Sequence, residues 1–157
     1  MQRRITGFGL DDKGERFARL DCGHRQHVRH RPPFVERPWA ESEAGRASML
    51  GETLDCLRCD RLEMPDGVTP YRETPVFDQA TVPAGLLKDH ETKPGTWGRL
   101  EVLAGRMRCV FADPVGRAAD LGAGENSPIP PEASHHVELH DGARFRVVFL
   151  RVAADGG

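Results

Sequence analysis

Long apolar runs are missing from this chain. Its strand-like stretch near the end, Val147-Val148-Phe149-Leu150, is four residues long, against about 20 for a membrane-crossing helix and about 7 to 15 for the core of a secretory leader. The expectation is a cytoplasmic protein with no membrane partner. Sustained 3.6-residue periodicity is also nearly absent, which argues against a helical bundle or coiled coil. The sequence shows no nucleophile–base–orienter triad, no phosphate-binding glycine loop and no nucleotide fingerprint. Catalytic residues are therefore unknown at this level, and whether the protein is an enzyme stays open.

With 38% apolar and 29% charged residues, the composition suits a folded protein with a modest core. Its 157 residues fit one domain or two small ones. Residues 1–62 hold 12 Lys and Arg against 10 Asp and Glu, a net +2, and the remainder holds 10 against 14, a net −4.

The first part carries the densest chemistry. Asp21 to Pro33 reads DCGHRQHVRHRPP, with one cysteine, three histidines and three arginines, and Cys56-Leu57-Arg58-Cys59 follows. In a reducing compartment these cysteines read as thiols or metal ligands rather than disulfides. A CxxC knuckle places two thiolates on one side, and zinc takes four nitrogen or sulfur ligands at tetrahedral corners. Cys22-Gly23-His24 supplies the other pair from a second turn, 34 residues upstream of Cys56, with glycine allowing the tight fold. The economical set is Cys22, His24, Cys56 and Cys59, holding a structural zinc in a unit with little apolar material of its own. His27 and His30 compete with His24 for the fourth position. A redox role for the CxxC lacks its usual βαβ setting. Arg25, Arg29, Arg31 and Arg37 form a basic rim, but a net charge of +2 favours a solvated face over nucleic-acid binding.

Residues 15–30 alternate as a strand pair, and Pro38 to Leu50 reads as a short helix or irregular loop. From Met64 on, short apolar segments punctuated by Pro and Gly predict an all-β sandwich or barrel: Val76-Phe77, Leu86-Leu87, Arg99 to Leu103, Arg106 to Phe111, His136 to Leu139 and Arg144 to Val152. Ala104-Gly105 reads as a hairpin turn, and Pro114 to Pro131 as a surface loop.

Within this second part, Thr69 to Phe77, Val82 to Gly98 with its HxTKxGxWG run, Leu100 to Arg108 and Ile129 to Glu138 resemble the small cupins of the tellurite-resistance, TehB/YeaR-like family. The first part resembles an uncharacterised bacterial domain, sometimes labelled pressure-regulated, that carries the DCGHxQHVRHxPP signature. Together they imply a mainly β protein: a zinc-ribbon-like module over 1–62, a small cupin (a double-stranded β-sheet barrel) over 65–152, and a flexible tail over 153–157. Cupin barrels often hold a metal at the mouth through histidines and a carboxylate. Here His90 and His135 occupy motif positions, while Thr92 and Gly98 replace the second histidine and the carboxylate. Glu101, Cys109 or Glu138 can complete a second metal site if the strand phase points inward. Without metal, His90, Lys93 and His135 can bind a small oxyanion, with Trp97 covering it. The family likeness implies a homodimer and a stress or tellurite-resistance role. Two further readings stand beside it: a metal-dependent cupin enzyme such as an oxidoreductase, and a ligand-sensing regulator that contacts nucleic acid.

Overall fold

A computed structural model describes residues 1–153, so the expected tail falls outside the described residues except for Ala153. Among the described residues, eleven strands form three antiparallel sheets. The first has the order β3-β2-β1-β4, from β1 (Gln2–Leu10), β2 (Arg16–Leu20), β3 (Arg25–His27) and β4 (Thr53–Asp55). A 3-10 turn (Pro38–Glu41) and α1 (Glu43–Ser48) precede β4, and the one-turn α2 (Leu57–Asp60) follows it. Ser42 caps α1 by accepting from the Gly45 amide, a standard way to satisfy an N-terminal donor.

The second half opens with β5 (Val68–Glu73) and adds β6 (Thr96–Ala104), β7 (Arg106–Phe111), β8 (Ala118–Gly122), β9 (Asn126–Ile129), β10 (His135–Leu139) and β11 (Arg144–Val152). These strands make two curled sheets, β5-β11-β6-β9 and β10-β7-β8. Their facing sides bury Leu100, Val102, Ile129, Phe145 and Val147 against Met107, Cys109, Phe111, Leu121 and Val137.

The long strand β11 explains how the halves join. Phe145 and Val147 point into the core between the curled sheets, while Val148 and Leu150 point the other way, into a core shared with Ile5, Ala18, Leu20 and the cysteines of the first half. A strand buried on both faces reads as a continuous apolar run rather than an alternating one. That is the origin of Val147-Val148-Phe149-Leu150. The first sheet and its loops thus cover the outer face of the β11/β6 sheet.

Three sequence expectations are corrected. Ala104-Gly105 is not a hairpin: β6 pairs with β11 and β9, and β7 with β10 and β8. The chain turns a corner between sheets there, and Gly105 (φ 68°) lies so close to the Gly142–Ala143 backbone that a Cβ would meet it at 2.5 Å. Pro114 to Pro131 is no plain loop. It holds β8 and β9, which the sequence pattern hid because each strand is short and β9 carries Pro128, tolerable on an edge strand. Leu86-Leu87 belongs to a 3-10 turn, Ala84–Leu87, while Phe77 makes only an isolated bridge with Phe145.

Candidate metal centre and pocket

The β2–β3 turn carries Cys22-Gly23-His24. Leu20 donates its amide to the His24 carbonyl at 3.0 Å, and Gly23 donates to the Leu20 carbonyl at 2.9 Å. Gly23 has φ +92°, and a Cβ there would meet Pro65 at 3.1 Å. Glycine suits the position for both reasons. Cys56 precedes α2 and Cys59 lies within it, so both thiols face the same side. The turn and α2 meet with four donors buried: Cys22 and Cys59 are 0% exposed, His24 1% and Cys56 4%. Their ligand atoms all lie within 4.8 Å of one another.

Individual separations are tighter still. His24 Nδ1 is 3.4 Å from Cys22 Sγ, 3.3 Å from Cys56 Sγ and 3.5 Å from Cys59 Sγ, and Cys22 Sγ is 3.9 Å from Cys56 Sγ. On the other side of the ring, His24 Nε2 lies 2.7 Å from the Glu63 carbonyl. A carbonyl only accepts, so Nε2 carries the proton and Nδ1 turns its lone pair toward the thiols. This is how an outer hydrogen bond fixes the tautomer of a metal-ligating histidine. Packed thiols share protons unequally. Hydrogen bonding to Cys56 raises the Cys22 thiol, while donation from Cys22, then Cys59, holds Cys56 low. The cluster can hold a metal ion.

His27 and His30 leave the competition for the fourth position. His27 Nε2 lies 2.8 Å from Asp11 Oδ2 at the surface, and His30 Nδ1 accepts from the Arg37 amide at 2.9 Å. Much of the basic rim is also engaged: Arg25 stacks 4.6 Å from the Phe17 ring centroid, Arg29 pairs with Glu15, and Arg37 reaches the His27 carbonyl.

Two buried side chains that sequence reasoning placed elsewhere, or passed over, flank the cluster. Trp97, 0% exposed, donates Nε1–H to the Cys22 carbonyl at 2.7 Å and meets the His24 ring edge-on at 5.6 Å. Strand alternation explains the placement. Leu100 and Val102 face the core between the curled sheets, so Trp97, of opposite parity, faces the first half. Arg3, 2% exposed, sits on β1 and donates Nη2–H to the Pro131 carbonyl at 2.7 Å. Burial lowers its basicity, yet attraction and hydrogen bonding from Cys59, then attraction from Cys22 and Asp21, raise it overall.

The other candidate residues gather at a pocket of about 260 Å³ in the second half, lined by His90, Lys93 and His135 together with Tyr71, Arg72, Glu91, Thr92 and Phe149. Trp97 is not part of it. The two imidazoles stand 4.2 Å apart, ring centre to ring centre, and their backbones exchange two hydrogen bonds of 2.9 Å. His90 Nδ1 donates to the Lys88 carbonyl at 2.9 Å and His135 Nδ1 to the Ala133 carbonyl at 2.7 Å, which leaves each Nε2 with a bare lone pair. Burial, set against the Ala133 bond, drops the His135 pKa to about 4. That ring is neutral near pH 7.

None of the three proposed extra donors lines the pocket. Glu101 pairs with Arg146 at 2.9 Å and Arg99 at 3.0 Å. Cys109 lies in the core, where burial pushes its thiol up to about 12. Glu138 meets His136 at 2.9 Å. Arg72 and Tyr71 were missed because β5 is an edge strand with one apolar face position in its pattern, too weak a signal to place its side chains.

Fold and site together define a β-sheet protein with a buried Cys₃His cluster in its first half and a histidine-lined pocket in its second. Comparison with known proteins agrees with this division. Residues 6–63 match a family described as a protein of unknown function, DUF3565, and residues 72–147 match the TehB-like domain. The uncharacterized protein YeaR of Escherichia coli (strain K12) is 31% identical over 98 residues, covering 57% of this chain and 82% of that protein. A crystal structure of a protein from the same strain aligns with a TM-score of 0.54 at 28% identity, over 59% of this chain and 99% of that one. TehB from Haemophilus influenzae aligns at 26% identity with a TM-score of 0.48, over 55% of this chain and 32% of that one. The chain belongs to the TehB-like, YeaR-related family. Among the described residues, no helix is long and apolar enough to cross a membrane.

Proposed function

We propose that the protein is a zinc-stapled, cupin-type binding protein whose pocket takes a small oxyanion. The observation that carries this reading is the contrast between a closed four-donor cluster and an open pocket with donors to spare. Tetrahedral zinc, with Zn–S near 2.3 Å and Zn–N near 2.0 Å, requires ligand edges of about 3.5 to 3.8 Å. Four of the six edges here run from 3.3 to 3.9 Å, and all lie within 4.8 Å. Cys22, His24, Cys56 and Cys59 would hold the ion, and four such ligands leave no position for water. Zinc here is structural, and it joins a zinc-ribbon-like unit over 1–62 to the barrel over 65–152. The cytoplasm, where thiols stay reduced, suits the site.

In the pocket, Lys93 and Arg72 supply positive charge, and Tyr71, Thr92 and the histidines supply directed polar atoms. With His135 neutral, the lysine and arginine carry the charge for an anion. A tellurite-resistance-like role is consistent with such a ligand. Calorimetric titration with tellurite, selenite and phosphate tests it: binding that weakens at least tenfold in Lys93→Ala supports the reading, and no binding of any oxyanion sinks it.

A second reading has its own observation. Both pocket histidines have Nδ1 pinned to a carbonyl and Nε2 bare, the arrangement of metal-ligating imidazoles. It makes the barrel a metal site and admits a metal-dependent enzyme, possible only with further donors such as water. A second metal that survives Cys56→Ser/Cys59→Ser and disappears in His135→Ala would favour it. A nucleic-acid role has less support, since Arg25, Arg29 and Arg37 already have partners. The homodimer expected from the family is checked by light scattering of the purified protein.

A further inference from the structure

The cluster and the pocket lie in different halves, but two buried side chains cross between the halves in opposite directions. Trp97 comes from the second half and ends on the Cys22 carbonyl. Arg3 comes from the first half and ends on the Pro131 carbonyl. Each satisfies a main-chain acceptor of the other half, so the junction is held by directed bonds as well as by apolar packing.

Arg3 has a second feature that packing does not explain. It is the one buried lysine or arginine among the described residues. Burying a guanidinium is costly unless a negative partner offsets it. Among the described residues the one carboxylate within ion-pair distance, Glu132, stands off at 3.9 Å and is itself 44% exposed, Asp21 attracts Arg3 without a direct ion pair, and Arg3 Nε has no hydrogen-bond partner. A weak, half-exposed contact is too little to hold a charge at 2% exposure. The metal reading supplies the missing partner. A divalent ion bound by three thiolates and a neutral imidazole carries one net negative charge, and Arg3 lies beside it, within side-chain hydrogen-bond reach of Cys59.

The turn that Arg3 grips leads directly to the pocket. Glu132 has φ 60°, in the left-handed region that a residue with a Cβ occupies only when its surroundings hold it there. Glu132 donates its amide to the Thr92 carbonyl at 3.2 Å, and Ala133 accepts from His135 Nδ1 at 2.7 Å. Thr92 and His135 line the pocket.

We propose that Arg3 is the counter-ion of the Cys22/His24/Cys56/Cys59 metal centre and the latch through which that centre keeps the 130–133 turn, and with it His135 and Thr92, in place beside the pocket. The proposal rests on the zinc reading given above. It makes the two sites thermodynamically linked: a ligand that orders the pocket tightens the metal, and the metal tightens the ligand by the same factor.

Arg3→Gln, with zinc affinity measured by competition against a chromogenic chelator and amide exchange measured by mass spectrometry, tests both halves of the proposal. The expected result is zinc bound about 10- to 100-fold more weakly, the range for loss of an outer partner of a metal site, with faster exchange at His90, Glu132 and His135. Arg3→Lys keeps the charge but not the fork; it restores most of the affinity and leaves the exchange fast. Unchanged affinity and unchanged exchange in Arg3→Gln, with zinc still bound, overturn this inference alone. Should Arg3→Gln fail to fold, the wild type decides. Removing its zinc with chelator speeds exchange at Glu132 and His135 if the latch exists, and overturns it if exchange rises only near residues 20–25 and 54–60. No zinc in the wild type overturns this proposal and the zinc reading together.

Discussion

The two polar sites of this protein are built on opposite plans. At the Cys₃His cluster every donor is at most 4% exposed, the histidine tautomer is set by one carbonyl, and the four ligand atoms lie within 4.8 Å of one another. At the pocket the histidines are just as firmly oriented by carbonyls, yet Lys93 is exposed and both imidazoles line open volume. Orientation is therefore common to both sites, and completeness separates them. On the proposed reading, a complete donor set in a dry core holds structure together, whereas an incomplete one at a pocket is left free for a ligand.

Breaking the closed site should have the largest effect. Cys56→Ser/Cys59→Ser removes two of the four ligands, and binding of structural zinc contributes on the order of 10 kcal/mol or more to small metal modules. The first half should lose its fold, seen as loss of zinc by elemental mass spectrometry and as a red shift of the emission of Trp39 and Trp97.

Next comes the seam between the halves. Trp97→Ala empties a fully buried site and should cost about 3 to 5 kcal/mol in urea unfolding. Trp97→Phe keeps most of the volume but orphans the Cys22 carbonyl, for about 1 to 3 kcal/mol. A cost below 1 kcal/mol for Trp97→Ala would show that the seam is loose and the halves independent.

Protonation sharpens the comparison at the pocket. The unfolded His135 takes up a proton near its ordinary pKa of about 6.5, but the folded one waits until about 4. Between these values the unfolded state binds more protons, so stability falls as the pH drops through that window, by about 3 kcal/mol for one group. Metal bound through thiolates is also lost to protons in acid. The difference between wild type and His135→Gln, measured by urea unfolding at pH 7 and pH 4.5, isolates the pocket's share: the variant should lose less. Equal losses would mean that His135 is not protected from protons.

The smallest change in stability is expected at Lys93. This exposed side chain should leave the melting temperature unchanged when replaced by Ala, while oxyanion binding drops. A large stability loss there would make the pocket a structural site like the cluster, and the contrast between the two would collapse.

Much of this architecture can be read along the chain. Short apolar segments between prolines and glycines announce β structure, and Cys22-Gly23-His24 with Cys56-Leu57-Arg58-Cys59 announces a four-donor site, because ligand chemistry and tight-turn geometry are local properties. Parity could also have been read further: with Leu100 and Val102 facing inward, Trp97 had to face out, away from the pocket it was expected to cover. Other features have no local signature. Gly105 looks like a hairpin glycine whether the flanking strands pair or part. Arg3 looks like one more charge in a polar N-terminal stretch.

What the sequence determined by itself was therefore the set of turns, the strand-forming segments and the chemical identity of the zinc-type donors, since each depends on residues only a few positions apart. Tertiary structure took His27 and His30 away from the thiols, sent Gly105 around a corner between sheets, and buried Arg3 and Trp97 across the junction. Those outcomes depend on which surfaces meet, and burial of a charge or an indole is decided by partners more than 70 residues away.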